Sequence, residues 1–195
     1  MTLEAEDRAR ADFYALLARL FYAPPDRALL DALASSPALA AENKASPLAK
    51  AWDDLRAAAA SADPEAVREE YESVFVGTGK AEVTLYTSAY TVKSAVDNPL
   101  VDLREFLWRQ GMARNPGASE PEDHVAGLCD AMRYLIVEKA GIQDVQKLFF
   151  RKFIRPSMDA LCAAVIQHER TGFYRRVGHF AQRFFDIEHA ALDMH

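Results

Sequence analysis

Apolar residues recur every three or four positions in each long stretch of this 195-residue chain. A period near 3.6 gathers such residues on one face of a helix, and that face must be buried. Ala9, Phe13, Leu16, Leu17 and Leu20 form the first stripe, over about Glu4–Tyr22. Pro24-Pro25 ends it, because proline cannot donate a backbone hydrogen bond and restricts the residue before it. A short helix is expected over Asp26–Leu33, a loop over Ser35–Pro47, and a helix over Pro47–Ala60 with Trp52 and Leu55 facing inward. Asp63-Pro64 is a helix start, with Asp63 as N-cap and Pro64 at the first position. That helix carries Val67, Tyr71, Val74 and Phe75, and Gly77 and Gly79 end it.

Ser88 is placed as the cap of a short helix through Val96. Pro99 opens another, whose Leu103, Phe106, Leu107 and Met112 point to the core; Trp108 is assigned to the core with Phe106, and Arg104 to a salt bridge or to solvent. Val125, Leu128, Cys129, Met132, Leu135 and Ile136 make a clean stripe. Ile142–Ile154 reads as helix, Pro156 opens the next, and Gly172 closes it. The last helix lines up Phe173, Val177, Phe180, Phe184 and Ile187. The expectation is an all-α bundle of roughly nine to ten helices. Asn115, Pro116, Gly117 and Ser119 mark a hinge at about 115–120, between an N-terminal lobe (1–114) and a C-terminal lobe (121–195). Lobes joined by such a loop can be exchanged between copies, so the chain is expected to be a monomer or a homodimer, the latter by lobe swapping.

Composition narrows function by exclusion. A net charge of −6 argues against nucleic acid and against anionic membrane surfaces, both of which attract Lys and Arg. No apolar window is long enough to insert in a membrane. The start, with Glu4, Glu6 and Asp7, is unlike a secretory signal, and a cytoplasmic location is expected. Cys129 and Cys162 sit in apolar stripes and read as buried free thiols. With no Cys-x-x-Cys or His-Glu-x-x-His spacing, neither a metal nor a resident cofactor is expected. Gly77-Thr78-Gly79-Lys80 imitates the tail of a phosphate loop, but Val74 stands where a glycine is needed and Ala81 follows the lysine.

Two motifs stand apart from packing. Tyr71-x-x-Val74-Phe75 is followed by Leu85-Tyr86-x-Ser88-x-Tyr90. Downstream, Glu120-Pro121-Glu122-Asp123-His124 leads into the Val125 stripe. The acids have a purely structural reading: Ser119 and Glu122 match a capping box, and carboxylates suit a first helical turn. On residue type alone His124 is a satisfied boundary residue. An acid–base pair of Asp123 and His124 is the enzymatic alternative, but neighbours on one helical turn point apart and no nucleophile is placed.

The two motifs together resemble the TorD/DmsD/NarJ family of molybdoenzyme maturation chaperones. Glu120, Pro121, Asp123 and His124 match a Glu-Pro-x-Asp-His helix start; Tyr71, Phe75, Tyr86 and Ser88 match the upstream pattern. The chain departs from it at Val74, at Leu85, where a proline is common, and near Phe149–Met158, where many members carry a histidine and a tryptophan. The resemblance implies a chaperone, not an enzyme. It would bind the twin-arginine leader of a molybdoenzyme catalytic subunit and hold it for molybdopterin insertion before export or assembly. Asp123 with Glu120 or Glu122 would take the arginines. Tyr71, Val74, Phe75, Leu85 and Tyr86 would line an apolar groove, flanked by Ser88 and Tyr90, and His124 would bond peptide backbone or tune the aspartate. The alternatives are a helical adaptor or assembly factor for another client, and a nucleotide-handling protein.

Overall fold

The computed structural model describes residues 3–39, 46–91, 98–114, 117, 120–139 and 142–194. Among them lie ten α-helices and no strand. In chain order these are α1 (Ala5–Tyr22), α2 (Arg27–Ser35), α3 (Pro47–Ser61), α4 (Pro64–Tyr71) and α5 (Ser88–Thr91). They continue with α6 (Pro99–Arg109), α7 (Val125–Glu138), α8 (Gln143–Phe149), α9 (Arg155–Gln167) and α10 (Phe173–Met194). The architecture is all-α, as the periodicities require.

Caps explain where several helices begin. The Asp26 carboxylate accepts from Leu29 N–H at 2.8 Å, so α2 starts one residue after it. Asp63 occupies the N-cap position of α4, but its side chain makes no capping bond and Pro64 carries the start. Two turns are wider than α. Glu72–Val76 extends α4, and Phe150–Ile154 joins α8 to α9 without a break. In each, an N–H reaches back five residues: Gly77 to Glu72 O at 2.7 Å, and Arg155 to Phe150 O. The second wide turn sits just before Pro156, whose missing N–H and bulky ring disfavour a regular α turn there. Pro156 stands at the second position of α9, near its start as expected, and the wide turn links that helix directly to α8. Gly77 has φ +65, and a Cβ there would stand 2.2 Å from the Lys80 carbonyl oxygen, so only glycine fits this turn.

Backbone contacts divide the chain into two compact units that interleave in sequence. Unit one holds Met1–Phe21, Leu85–Met158 and His189–His195; unit two holds Tyr22–Thr84 and Asp159–Glu188. The anticipated hinge at 115–120 falls in the sequence of unit one and, apart from Gly117 and Glu120, lies outside the described residues. The expected helix beyond Thr91 through Val96 lies outside them too.

In unit one, α7 buries Val125, Leu128, Cys129, Met132, Leu135 and Ile136. Phe106, Phe149 and Phe153 form a ring cluster with centroids 5.2–5.5 Å apart. In unit two, Trp52 meets Phe180 at 5.3 Å and donates its indole N–H to Pro37 O. Tyr71, Phe75 and Tyr174 form a second ring cluster at 4.9–5.6 Å. Each such buried side chain stabilises the fold by about 1.5–3 kcal/mol. Glu70 joins distant parts of unit two: its carboxylate accepts the N–H groups of Gly172, Phe173 and Tyr174 at 2.8–3.0 Å, capping the start of α10. Both cysteines are buried thiols outside any disulfide, and burial pushes the Cys162 thiol up to about 12.

Three side chains depart from expectation: Ala9, which is exposed in the first turns of α1, Trp108 and Ile187. Trp108 is not in the core: 77% of its surface is exposed on α6. The inward residues of α6 are Leu103, which is buried, and Phe106 and Leu107, which are half-buried. Trp108 lies seven residues after the exposed Val101, so the two share the outer face. Ile187 is likewise exposed on α10, beside the buried Phe184.

Candidate functional site

The stretch from Leu85 to Ser88 and the stretch from Asp123 to Val125 are fastened to each other inside unit one. Val125 N–H donates to Leu85 O at 2.9 Å, and Thr87 N–H donates to Asp123 O at 2.9 Å. These bonds make a one-residue antiparallel bridge between Tyr86 and His124. The Thr87 hydroxyl adds a third bond to Asp123 O at 3.0 Å.

This pairing decides where α7 begins. The sequence pointed to a start at Ser119 with Glu120, Glu122 and Asp123 in the first turn. In fact α7 starts at Val125 and has no acid in its first turn. Residues 123 and 124 are extended or turned because their backbone serves the bridge. His124 is the N-cap: its Nδ1 accepts from Ala126 N–H at 3.2 Å. Ser119, the other member of the expected capping box, lies outside the described residues; Glu122 pairs with Arg104 at 3.0 Å.

The side chains of the site are held by specific partners. Tyr86 is 37% exposed, and its hydroxyl donates to Glu120, which raises the phenol to about 12. The Tyr86 ring meets the His124 ring edge-on at 5.4 Å. Burial holds His124 below its ordinary value, against the opposing pull of Glu120 and Asp123. The ring is therefore neutral at pH 7, as its capping bond demands. Asp123 is only 6% exposed, and the Ser88 hydroxyl donates to its Oδ2. Its Oδ1 accepts no hydrogen bond among the described residues. Asp123 and His124 bond to different groups, Ser88 and Ala126, and form no acid–base pair with each other.

Beside Asp123 opens a cleft of about 390 Å³. Thr87, Ser88 and Thr91 line one part of it; Asp102, Lys152 and Phe153 line another. Sequence reasoning missed Thr87, Asp102 and Lys152, since no local pattern joins α6 to the wide turn at Phe150–Ile154. Pro121 is half-buried, and its carbonyl accepts from His124 N–H at 3.1 Å. Leu85 is buried, and Tyr90 is half-buried in α5. Tyr71, Val74 and Phe75 belong to unit two, where all three are buried. Tyr71 donates its hydroxyl to Tyr22 O, and Val74 O accepts from both Glu82 and Val83 N–H. Their visible work is to hold the core and loop of that unit. Among the described residues, no group of three or more His, Cys, Asp or Glu side chains is arranged to hold a metal ion.

The described residues thus form an all-α protein whose two motif segments are clasped by backbone bonds at a polar cleft. The chain belongs to the nitrate reductase delta subunit family, whose model matches residues 41–163. It is similar to the chaperone protein TorD of Aliivibrio fischeri, 26% identical over 133 residues, covering 61% of this chain and 60% of that one. TorD of Aliivibrio salmonicida matches over the same length with the same identity and coverage. The chain spans about 60% of the length of the curated relatives it matches. No described helix is long and apolar enough to cross a membrane.

Proposed function

We propose that this protein is a cytoplasmic maturation chaperone for a molybdoenzyme catalytic subunit. It binds the twin-arginine type leader of that subunit and holds it until the molybdopterin cofactor is in place. The observation that carries the reading is the buried Asp123 carboxylate, oriented by Ser88 and lining the cleft with one oxygen that accepts no bond among the described residues. A guanidinium from the leader bonds to that oxygen, and Glu120, bridged by Tyr86, adds negative charge nearby. The leader's apolar stretch lies on the outer face of α6, where Val101 and Trp108 are exposed. Leu85, Tyr90, Pro121, Glu122 and His124 shape the segments that carry this arrangement, while Tyr71, Val74 and Phe75 serve the core of the other unit.

The test is calorimetric titration with a synthetic twin-arginine leader. Asp123→Asn removes charge with little change in shape and is expected to weaken binding by about 1.5–3 kcal/mol, the worth of a hydrogen bond to a charged group. Equal affinity of a folded Asp123→Asn variant and the parent protein would remove Asp123 from the site.

A further inference from the structure

The cleft contains an ion pair that the motifs do not account for. Lys152 Nζ lies 2.8 Å from Asp102 Oδ2, and the two side chains are 49% and 53% exposed. Both line the same cleft as Asp123. Lys152 is presented by the wide turn Phe150–Ile154, which turns Phe153 and Ile154 inward, and its ammonium also sits 5.3 Å from the centre of the Phe153 ring. The charged lining, among the described residues, is thus two carboxylates and one ammonium.

We propose that Lys152 is an internal stand-in for a cation of the client, occupying Asp102 until a second guanidinium displaces it. The proposal rests on the leader-binding reading and names a specificity device within it. With Lys152 on Asp102, the cleft has one carboxylate to offer, and a single guanidinium satisfies it. A guest with two adjacent arginines is matched only when Lys152 swings out and frees the second carboxylate. The exchange is cheap, because an exposed ion pair contributes little and a lysine released to water keeps its hydration. It also has a direction: a planar guanidinium bonds a carboxylate through two parallel N–H groups, whereas an ammonium acts as a point charge. Lys152 therefore sets a threshold that paired arginines pass and a lone cation does not.

The experiment compares Lys152→Met and Asp102→Asn with the parent protein, each checked for native helicity by circular dichroism. The probes are a twin-arginine leader, the same leader with its second arginine replaced by glutamine, and diarginine amide. Lys152→Met keeps the apolar stem and removes the competitor. It is expected to tighten binding of the twin-arginine leader and of diarginine amide about two- to fivefold, the worth of an exposed pair. The single-arginine leader should show no gain. Asp102→Asn is expected to bring the twin-arginine leader down to the affinity of the single-arginine one. An unchanged or weaker affinity of Lys152→Met for the paired-arginine probes overturns the proposal, as does an equal gain for the single-arginine leader. If the parent protein binds no leader, the functional reading fails, and the diarginine amide series still decides the role of Lys152.

Discussion

His124 serves as a helix cap through a ring nitrogen, and only the neutral ring has a lone pair to accept the Ala126 N–H. Its folded-state pKa is held below the ordinary 6.5 by burial, although Glu120 and Asp123 pull the other way and the Tyr86 ring covers one edge. The unfolded chain thus takes up this proton at a higher pH than the folded one. The stabilisation is fully present above about pH 6.5 and is lost as pH falls through the folded-state value. Thermal unfolding followed between pH 7 and pH 5 should show a falling midpoint. His179 is also held low, by burial and by Arg175, Arg176 and Arg183, so the parent slope has more than one source. A His124→Asn variant keeps a capping acceptor that does not titrate, and its midpoint should fall less over the same interval. At pH 7, His124→Ala should cost about 0.5–2 kcal/mol, as for a lost cap. Parallel pH profiles for the parent and His124→Asn would show that the cap does not titrate.

At the scale of the element, α10 depends on a residue far from it in sequence. Glu70 accepts its first two N–H groups and that of Gly172 just before it, across separations of 102 to 104 residues. Glu70→Ala leaves those donors without their acceptor and should lower stability by about 1–3 kcal/mol in urea unfolding, more than loss of an ordinary cap. Glu70→Gln keeps an acceptor oxygen and should recover part of the loss. Such long-range ties mark the limit of what local pattern could reveal. The stripes of α1, α3, α7 and α10 were legible because burial of one face imposes a period on the sequence itself. The start of α7 was not, since Ser119 and Glu122 satisfy a local rule while the chain obeys the bonds from Leu85 and Thr87, made across 40 and 36 positions. The wide turn at Phe150–Ile154, just ahead of Pro156, was equally hidden, because such a turn has no periodic signature. Within the site, the residue types of the two motifs were visible in advance, while the cleft and its Asp102–Lys152 pair required the fold. Trp108 looked like core because an aromatic residue in a helical stripe usually is; only the exposed Val101 one face-repeat earlier places it outside.

On the scale of the whole molecule, the two tryptophans report on different surroundings, Trp52 buried and Trp108 open. Acrylamide should quench about half of the emission readily, and Trp108→Phe should abolish that accessible part. If the leader lies along α6, its addition should shield the parent protein from quencher and leave Trp108→Phe unchanged. Unaltered quenching at saturating leader would place the apolar contact elsewhere. The Asn115–Ser119 segment is proposed as the joint between lobes on its composition, and limited proteolysis should cut there before any helix. A first cut elsewhere, with this segment intact, would count against it. The clasp between the segments at Leu85 and Val125 has an evolutionary consequence. Two of its three bonds are made by main-chain atoms alone, so they survive almost any drift in the side chains around them. Residues that face the cleft, such as Asp102 and Lys152, are under no such obligation to the fold. A lineage can therefore change what the cleft accepts by altering a few of its residues while the scaffold that displays them is inherited intact.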